Sequence, residues 1–185
     1  MSVTMKRPRG FGQWMRLYGL YLRSFPSAER KPISVILDHY RQGRWDIWYC
    51  EQDGKFCGLA STMNSPDLVL VDYLAVEPGL RGAGIGSAIV RQLLEKYGET
   101  GLFLEVENTQ EPAKNHAERI RRKQFYLRNG LEELHVKASL FGVNMELLGK
   151  NCQMDYTKYH AFYRDNYSPW AAKHVKRTKR SEEIV

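Results

Sequence analysis

The residues of this chain best placed to do chemistry are three glycines at alternate positions, Gly82, Gly84 and Gly86. They lie in Tyr73-Leu-Ala-Val-Glu-Pro-Gly-Leu-Arg-Gly-Ala-Gly-Ile-Gly-Ser-Ala-Ile-Val90. Glycine lets main-chain N–H groups converge and lets a ligand approach the backbone closely. A helix that starts just after them adds unpaired N–H donors and the positive end of its dipole. An anion, best a phosphate or pyrophosphate, suits that combination. A glycine-rich turn that merely joins strand to helix fits the same residues, and the glycines alone leave the two readings even. Two familiar phosphate loops are excluded. The P-loop needs Lys and then Ser or Thr after its last glycine, and Ile85-Gly86-Ser87 has no Lys. The dinucleotide fingerprint needs wider glycine spacing and a later acidic partner.

Strand and helix must flank that loop. Residues 68–76 are apolar and β-branched apart from Asp72, the pattern of a strand covered on both faces. Glu77-Pro78-Gly79 stops it. Ile85, Ile89, Leu93 and Tyr97 recur at helical spacing, and Gly98 ends that helix. Upstream, Phe11, Trp14, Leu17, Tyr18, Tyr21, Leu22 and Phe25 predict an amphipathic helix with core-facing aromatics, ended by Pro26. Residues 27–32 form a polar connector, and a second helix spans 33–42 with Gly43 as its stop. Strands 44–51 and 55–62 are joined by Asp53-Gly54, a strong hairpin signal. Downstream, 101–107 is a strand that puts Glu105 and Glu107 on one face. A long basic helix over 113–129 is closed by Gly130. Strands 131–136 and 140–148 follow, with Gly142 as a bulge.

This order predicts an α/β (α+β) fold: a mostly antiparallel mixed sheet with helices on both sides and a βαβ unit around the glycine loop. Residues 1–10 read as a flexible basic arm and 11–149 as one domain. Residues 150–185 read as a C-terminal extension. It contains a short helix bearing Tyr156, Tyr159, Phe162 and Tyr163 that packs back on the domain, with disorder beyond Trp170.

With 43% hydrophobic and 26% charged residues, the chain can build a core and is not globally disordered. No apolar run approaches the ~20 residues of a membrane span. The basic N-terminus leads into no uninterrupted apolar segment, so no secretory signal is expected. Three cysteines form no C-x-x-C pair, which points to a reducing, cytoplasmic setting without disulfides. Cys50 and Cys57 read as small core residues on neighbouring strands. The five histidines are dispersed, so no metal is expected. A net charge of +7 attracts anions without requiring nucleic acid, and the basic run 173–180 reads as a solvated terminus.

The whole order resembles the GNAT superfamily of acyl-CoA N-acyltransferases over residues 11–149. Two segments carry the likeness. One is Arg81-x-x-Gly84-x-Gly86 after a strand ending in Leu74-Ala75-Val76. The other is Phe125-Tyr126-x-x-x-Gly130 at a helix end. The resemblance implies a sheet splayed at a central strand bulge and acetyl-CoA as cosubstrate. Main-chain groups of Leu74, Ala75 and Val76 would pair with the pantetheine arm. Arg81, Gly82, Ala83, Gly84, Ile85, Gly86 and Ser87 would surround the pyrophosphate. Tyr126 matches the family's Tyr beside the thioester sulfur. A thiol near pKa ~8.5 and a phenol near ~10 are close enough for proton donation, so Tyr126 is the expected general acid. Candidates for the base are Glu105 and Glu107, on the strand that would border the cleft, and Glu29. The last lies in Phe25-Pro-Ser-Ala-Glu29-Arg30, similar to a Phe-Pro-x-x-Glu-Arg segment that lines the acceptor pocket in some members.

One departure stands out: many members carry Asn-x-x-Ala-x-x-aromatic-Tyr on the last helix, and here Arg119 and Arg122 take the Asn and Ala positions. The implied function is direct acetyl transfer to a primary amine: a small amine, an amino acid or a peptide amino terminus. A CoA-binding sensor without chemistry is the alternative. Neither a membrane nor nucleic acid is expected as a partner, and a homodimer is compatible with the sequence.

Overall fold

The computed structural model describes residues 2–178, the side chain of Ala28 excepted. The chain divides into two compact units, Met1–Thr100 and Gly101–Val185. Both combine helices with antiparallel strand ladders, as the α/β reading expects.

The first unit runs β1 (Val3–Lys6), α1 (Gly10–Ser24), a 3-10 turn (Ser27–Glu29), α2 (Ile33–Arg41), β2 (Trp45–Gln52), β3 (Lys55–Asn64), β4 (Val69–Val76) and α3 (Ile85–Tyr97). Strand order follows the chain, β1-β2-β3-β4, and every ladder is antiparallel. Asp53 and Gly54 both have positive φ, 51° and 76°, and close the β2–β3 hairpin between the paired Gln52 and Lys55. That is the geometry for which an Asp-Gly turn is selected. Its core holds fully buried Leu20, Trp45, Met63, Leu70 and Ile89. Cys50 and Cys57 are also fully buried, on β2 and β3. Burial pushes the Cys57 thiol up to about 11 and the Cys50 thiol higher still, so both stay protonated at neutral pH.

Two sequence expectations change in this unit. The supposed arm contains β1, which pairs Val3–Lys6 with the end of β2. Gln92 of α3 satisfies its backbone, donating to the Val3 carbonyl at 2.7 Å and accepting from Met5 N–H at 3.2 Å. Four residues are too short a run to display strand periodicity. The aromatic face of α1 is also narrower than its spacing suggests. Leu17, Leu20 and Tyr21 are buried, while Phe11, Tyr18 and Leu22 are exposed.

The second unit runs β5 (Leu102–Glu107), α4 (His116–Leu127), β6 (Glu132–Leu140), β7 (Val143–Lys150), α5 (Tyr156–Asn166), α6 (Pro169–Ala172) and β8 (Val175–Arg177). Its strand order is β5-β7-β6-β8. Phe141 (φ 49°) and Gly142 (φ 86°) form a two-residue turn between the paired Leu140 and Val143, so Gly142 is a hairpin residue rather than a bulge. The irregularity lies upstream, where the register shifts between Glu133 and Lys137 around His135, at φ 54°. α4 begins three residues later than its basic run suggests, because 114–115 form a turn. Past Trp170 the described chain is ordered: α6 closes, and β8 pairs Val175 with Leu140 and Arg177 with Ala138. The C-terminal end of the basic tail, residues 179–185, lies outside the described residues. Among the described residues no helix is long and apolar enough to cross a membrane.

Gly58 sits opposite Val76 at the end of β4. A Cβ there would lie 2.6 Å from the Ala75 carbonyl oxygen and 3.2 Å from Ile89 Cδ1. Gly58→Ala should therefore cost about 1–3 kcal/mol in urea unfolding, by overpacking against backbone. Gly79→Ala meets nothing within 4 Å and should stay within about 0.5 kcal/mol of the parent. Equal midpoints for the two variants would contradict this packing.

Candidate active site

In the first unit the site is built from β4, the loop after it and the start of α3. β4 carries an extra residue. Ser61 of β3 pairs with Tyr73 and Thr62 pairs with Val71, which leaves Asp72 bulged out of the ladder. Such a bulge bends the strand and increases its twist. Beyond it, Leu74, Ala75 and Val76 pair with Ala60, Leu59 and Gly58. A turn over Pro78–Leu80 then delivers the exposed Arg81, Gly82, Ala83 and Gly84.

Gly82 and Gly84 are left-handed, at φ 85° and 79°, and open space surrounds the positions a Cβ would take. Glycine is required there by dihedral angle, not by crowding. Gly84 is the N-cap of α3, no side chain caps the helix, and its first turn contains no acidic residue. Ile85 is buried and anchors the helix start, while Gly86 and Ser87 are half-buried. The first-turn N–H groups of α3 thus keep their donor capacity for an external acceptor. Arg81 adds a guanidinium, whose Nε donates to the Val76 carbonyl at 3.4 Å.

The bulge also holds the α1–α2 connector. Lys31 Nζ lies 2.5 Å from Asp72 Oδ1, and the two side chains are only 13% and 3% exposed. Tyr73 donates its hydroxyl to the Glu29 carbonyl at 2.9 Å and accepts from Lys31 N–H at 3.0 Å. Tyr21 donates to the Lys31 carbonyl at 3.1 Å. Burial, then the Asp72 charge, holds the Tyr73 phenol far above its usual range, so it stays neutral. Glu29 is exposed on this pinned segment. A cavity of about 250 Å³ opens beside it, lined among others by Tyr18, Tyr21, Leu22, Arg30 and Lys31.

In the second unit, Tyr126 lies in the last turn of α4. It is partly exposed and packs edge-on against Phe125, centroids 5.0 Å apart. Burial raises its phenol above the usual range, and the nearby Arg122 charge opposes that rise. Its carbonyl accepts from Asn129 and Leu131 N–H groups as the chain turns through Gly130, at φ 96°. Glu107 lies 2.7 Å from Arg119 Nη2 and 3.4 Å from Arg122 Nη1. The two arginines that depart from the family pattern therefore clasp a strand carboxylate. Glu105 has a different environment: its Oε1 accepts from Tyr159 OH at 2.5 Å and Tyr163 OH at 2.8 Å.

Every predicted site residue is thus located. The cofactor-type residues and Glu29 share the first unit, while Glu105, Glu107 and Tyr126 share the second. Sequence reasoning missed the roles of Lys31, Tyr73, Tyr159 and Tyr163. Asp72 was visible as the lone polar residue of an apolar strand, but its partner lies 41 positions away.

A sequence model of the acetyltransferase (GNAT) family matches residues 14–121, more than half of the chain. No curated protein matches it. Solved structures share the fold. A Bacteroides thetaiotaomicron protein described as an acetyltransferase of the GNAT family is 20% identical, covering 90% of this chain and 98% of that one, with TM-score 0.73. The Escherichia coli ribosomal-protein-S18-alanine N-acetyltransferase is 17% identical over 82% of this chain and 95% of that one, at 0.59. Naa50 of Arabidopsis thaliana is 18% identical over 82% of this chain and 100% of that one, at 0.61.

The Lys31–Asp72 pair gives a direct stability test. Removing one partner strands a buried charge, so Lys31→Met should cost about 3–5 kcal/mol in chemical denaturation. The double variant Lys31→Met/Asp72→Asn should recover part of that loss. A single-variant cost under about 1 kcal/mol would mean that the pair does not hold the connector.

Proposed function

We propose, starting from the fact that the chain belongs to the acetyltransferase (GNAT) family, that it moves an acetyl group directly from acetyl-CoA to a primary amine. One observation carries the reading: a bulged strand runs into two left-handed glycines and then into an uncapped helix start. Such a start presents convergent N–H donors and a positive dipole end to a pyrophosphate. Arg81, Gly82, Ala83, Gly84, Ile85, Gly86 and Ser87 would hold that group, and main-chain atoms of Leu74, Ala75 and Val76 would meet the pantetheine arm. Two relatives of the fold support the choice of cosubstrate. The Arabidopsis thaliana Naa50 structure holds the bisubstrate analogue CoA-Ac-MVNAL, and one from Elizabethkingia anophelis holds acetyl-CoA.

The chemistry needs a neutral amine and a leaving group that can depart. Nitrogen bonds to the acetyl carbon, the carbon–sulfur bond breaks, and sulfur takes a proton. Tyr126 supplies that proton in this reading. Its raised phenol is fully protonated at neutral pH and shares the proton as charge develops on sulfur. Glu105 takes the proton of the amine. Glu107, against which Arg119 and Arg122 lie, is the other candidate on β5. Glu29 remains on the connector, where it would face an acceptor rather than deprotonate it. The acceptor class is a small amine, an amino acid or a peptide amino terminus.

A thiol-release screen across those three classes tests the reading, and release with none of them would reject it. Tyr126→Phe should lower kcat by roughly 10²–10⁴-fold with the acetyl-CoA Kd nearly unchanged. An unaltered single-turnover rate would remove Tyr126 from the acid role. Gly84→Ala puts a side chain at φ 79°, a strain of about 1–2 kcal/mol. Acetyl-CoA binding by calorimetry should weaken roughly tenfold or more, and an unchanged Kd would move the cofactor away from this loop.

A further inference from the structure

The β6–β7 turn carries an aromatic ring where its backbone disfavours one. Phe141 stands at φ 49° beside Gly142 at φ 86°. Two-residue turns with both φ angles positive select Asn, Asp and Gly, and a bulky residue adopts that conformation rarely. The ring is 42% exposed, so core burial does not account for its place. Two rings of the C-terminal segment join it. His174 stacks on Phe141, with centroids 4.9 Å apart and planes 20° apart. Trp170 is 59% exposed and lies 5.5 Å from Phe141 and 4.7 Å from His174.

Backbone contacts fix the cluster. Phe141 N–H donates to the His174 carbonyl at 3.1 Å, and His174 N–H donates to the Ala171 carbonyl at 2.9 Å. Ser168 caps α6, accepting from Ala171 N–H at 3.0 Å. Tyr156 donates its hydroxyl to the Val175 carbonyl at 3.0 Å and so ties β8 to α5. The rim is cationic: Lys173, Lys176 and Arg177 are exposed, and Arg177 lies 4.9 Å over the Tyr156 ring. The ion pairs among described residues of the second unit engage Arg119, Arg122, Lys123, Lys150 and Arg164, and none engages Lys173, Lys176 or Arg177. Residues 166–181 contain no Asp or Glu. The basic run that reads in sequence as a solvated terminus is thus, over 173–177, a folded rim beside exposed rings.

We propose that this cluster binds single-stranded nucleic acid, with bases stacking on Trp170 and Phe141 and phosphates pairing with Lys173, Lys176 and Arg177. Stacking on an aromatic side chain accepts any base through its π-face, while cations track the phosphates. Paired bases inside a duplex offer no free face to a side chain, so single strands are preferred. A second copy of this chain would bring like charges together. A lipid surface would reward a broader apolar area than two exposed rings supply. An acidic peptide would meet the cations and leave the rings without a stacking partner. The site lies wholly within the second unit and stands whether or not the chain transfers acetyl groups.

Fluorescence anisotropy of the full-length chain with a labelled oligo(dT) of about 15 nucleotides, between about 50 and 200 mM salt, tests the proposal. Affinity should fall steeply with salt. Trp170→Ala should raise Kd roughly tenfold, and Trp170→Phe, which keeps a ring, should stay within about threefold of the parent. Phe141→Asn gives the turn a residue it prefers, so it should keep the melting temperature while losing roughly tenfold in affinity. Lys173→Gln/Lys176→Gln should cut the slope of log Kd against log salt by about one to two. Duplex DNA of the same length, polyglutamate, and vesicles of phosphatidylcholine with phosphatidylserine should all bind more weakly than oligo(dT). A parent that does not bind oligo(dT) would overturn the proposal. Equal or tighter binding to the duplex, to polyglutamate or to the vesicles would overturn it as well, leaving a patch that answers to charge alone. Lowered melting temperatures in Trp170→Ala and Phe141→Asn at parental affinity would reduce the rings to an anchor of α6 and reject the site.

Discussion

One extra residue in β4 sets the rest of the first unit. With Asp72 bulged, Ser61 faces Tyr73 and Thr62 faces Val71. Without the bulge, Ser61 would face Asp72 and every later residue of the strand would shift by one. A one-residue slip turns each side chain to the opposite face. Tyr73 would then lose its place under the connector, where its hydroxyl bridges Glu29 and Lys31. The bulge also carries an aspartate into a buried position, and a buried carboxylate demands a cation. Lys31 answers that demand and draws the α1–α2 connector onto the strand. A local irregularity of the ladder is thereby converted into the placement of a distant loop.

A related logic sorts the carboxylates of the second unit. Glu107 and Glu146 are neutralised by Arg119 and Lys123, long cationic side chains on α4. Glu105 is met by the hydroxyls of α5. The arginines at 119 and 122 look from sequence like a loss of a family contact. In the structure they form ion pairs with the strand carboxylate of Glu107.

What was legible in the sequence was local. The Asp53-Gly54 hairpin, the left-handed glycines 82 and 84 and the helix closing at Gly130 each depend on neighbouring dihedral angles. Their residue types are selected by those angles, so spacing alone located them. β1 and β8 escaped because three- and four-residue edge strands carry too little periodicity, and their pairing is decided by partners far along the chain. The site was half legible for the same reason. The loop from Arg81 to Ser87 could be read directly, whereas the partners of Asp72 and Glu105 lie 41, 54 and 58 positions away. No pattern within β4 or β5 announces a lysine on a connector or two tyrosines on a later helix. The narrow buried face of α1 was misread because aromatic spacing reports which side a helix could bury, not how much of it is covered.

Net charge illustrates why backbone geometry outweighs composition at this site. The chain carries +7, which invites an explanation of anion binding by surplus cations. Several of those cations are committed internally: Lys31 to Asp72, Arg119 to Glu107 and Lys123 to Glu146. Within residues 81–87 Arg81 is the one charged side chain, and on the proposed reading the remaining attraction would come from oriented N–H groups and the end of α3. Side-chain charges attract any anion over roughly a Debye length, about 8 Å at physiological salt. Converging main-chain donors act at contact distance and require a group of particular shape. On the proposed reading a pyrophosphate would meet that requirement, and the preference expected of this loop would follow from two positive φ angles more than from the sum of its charges.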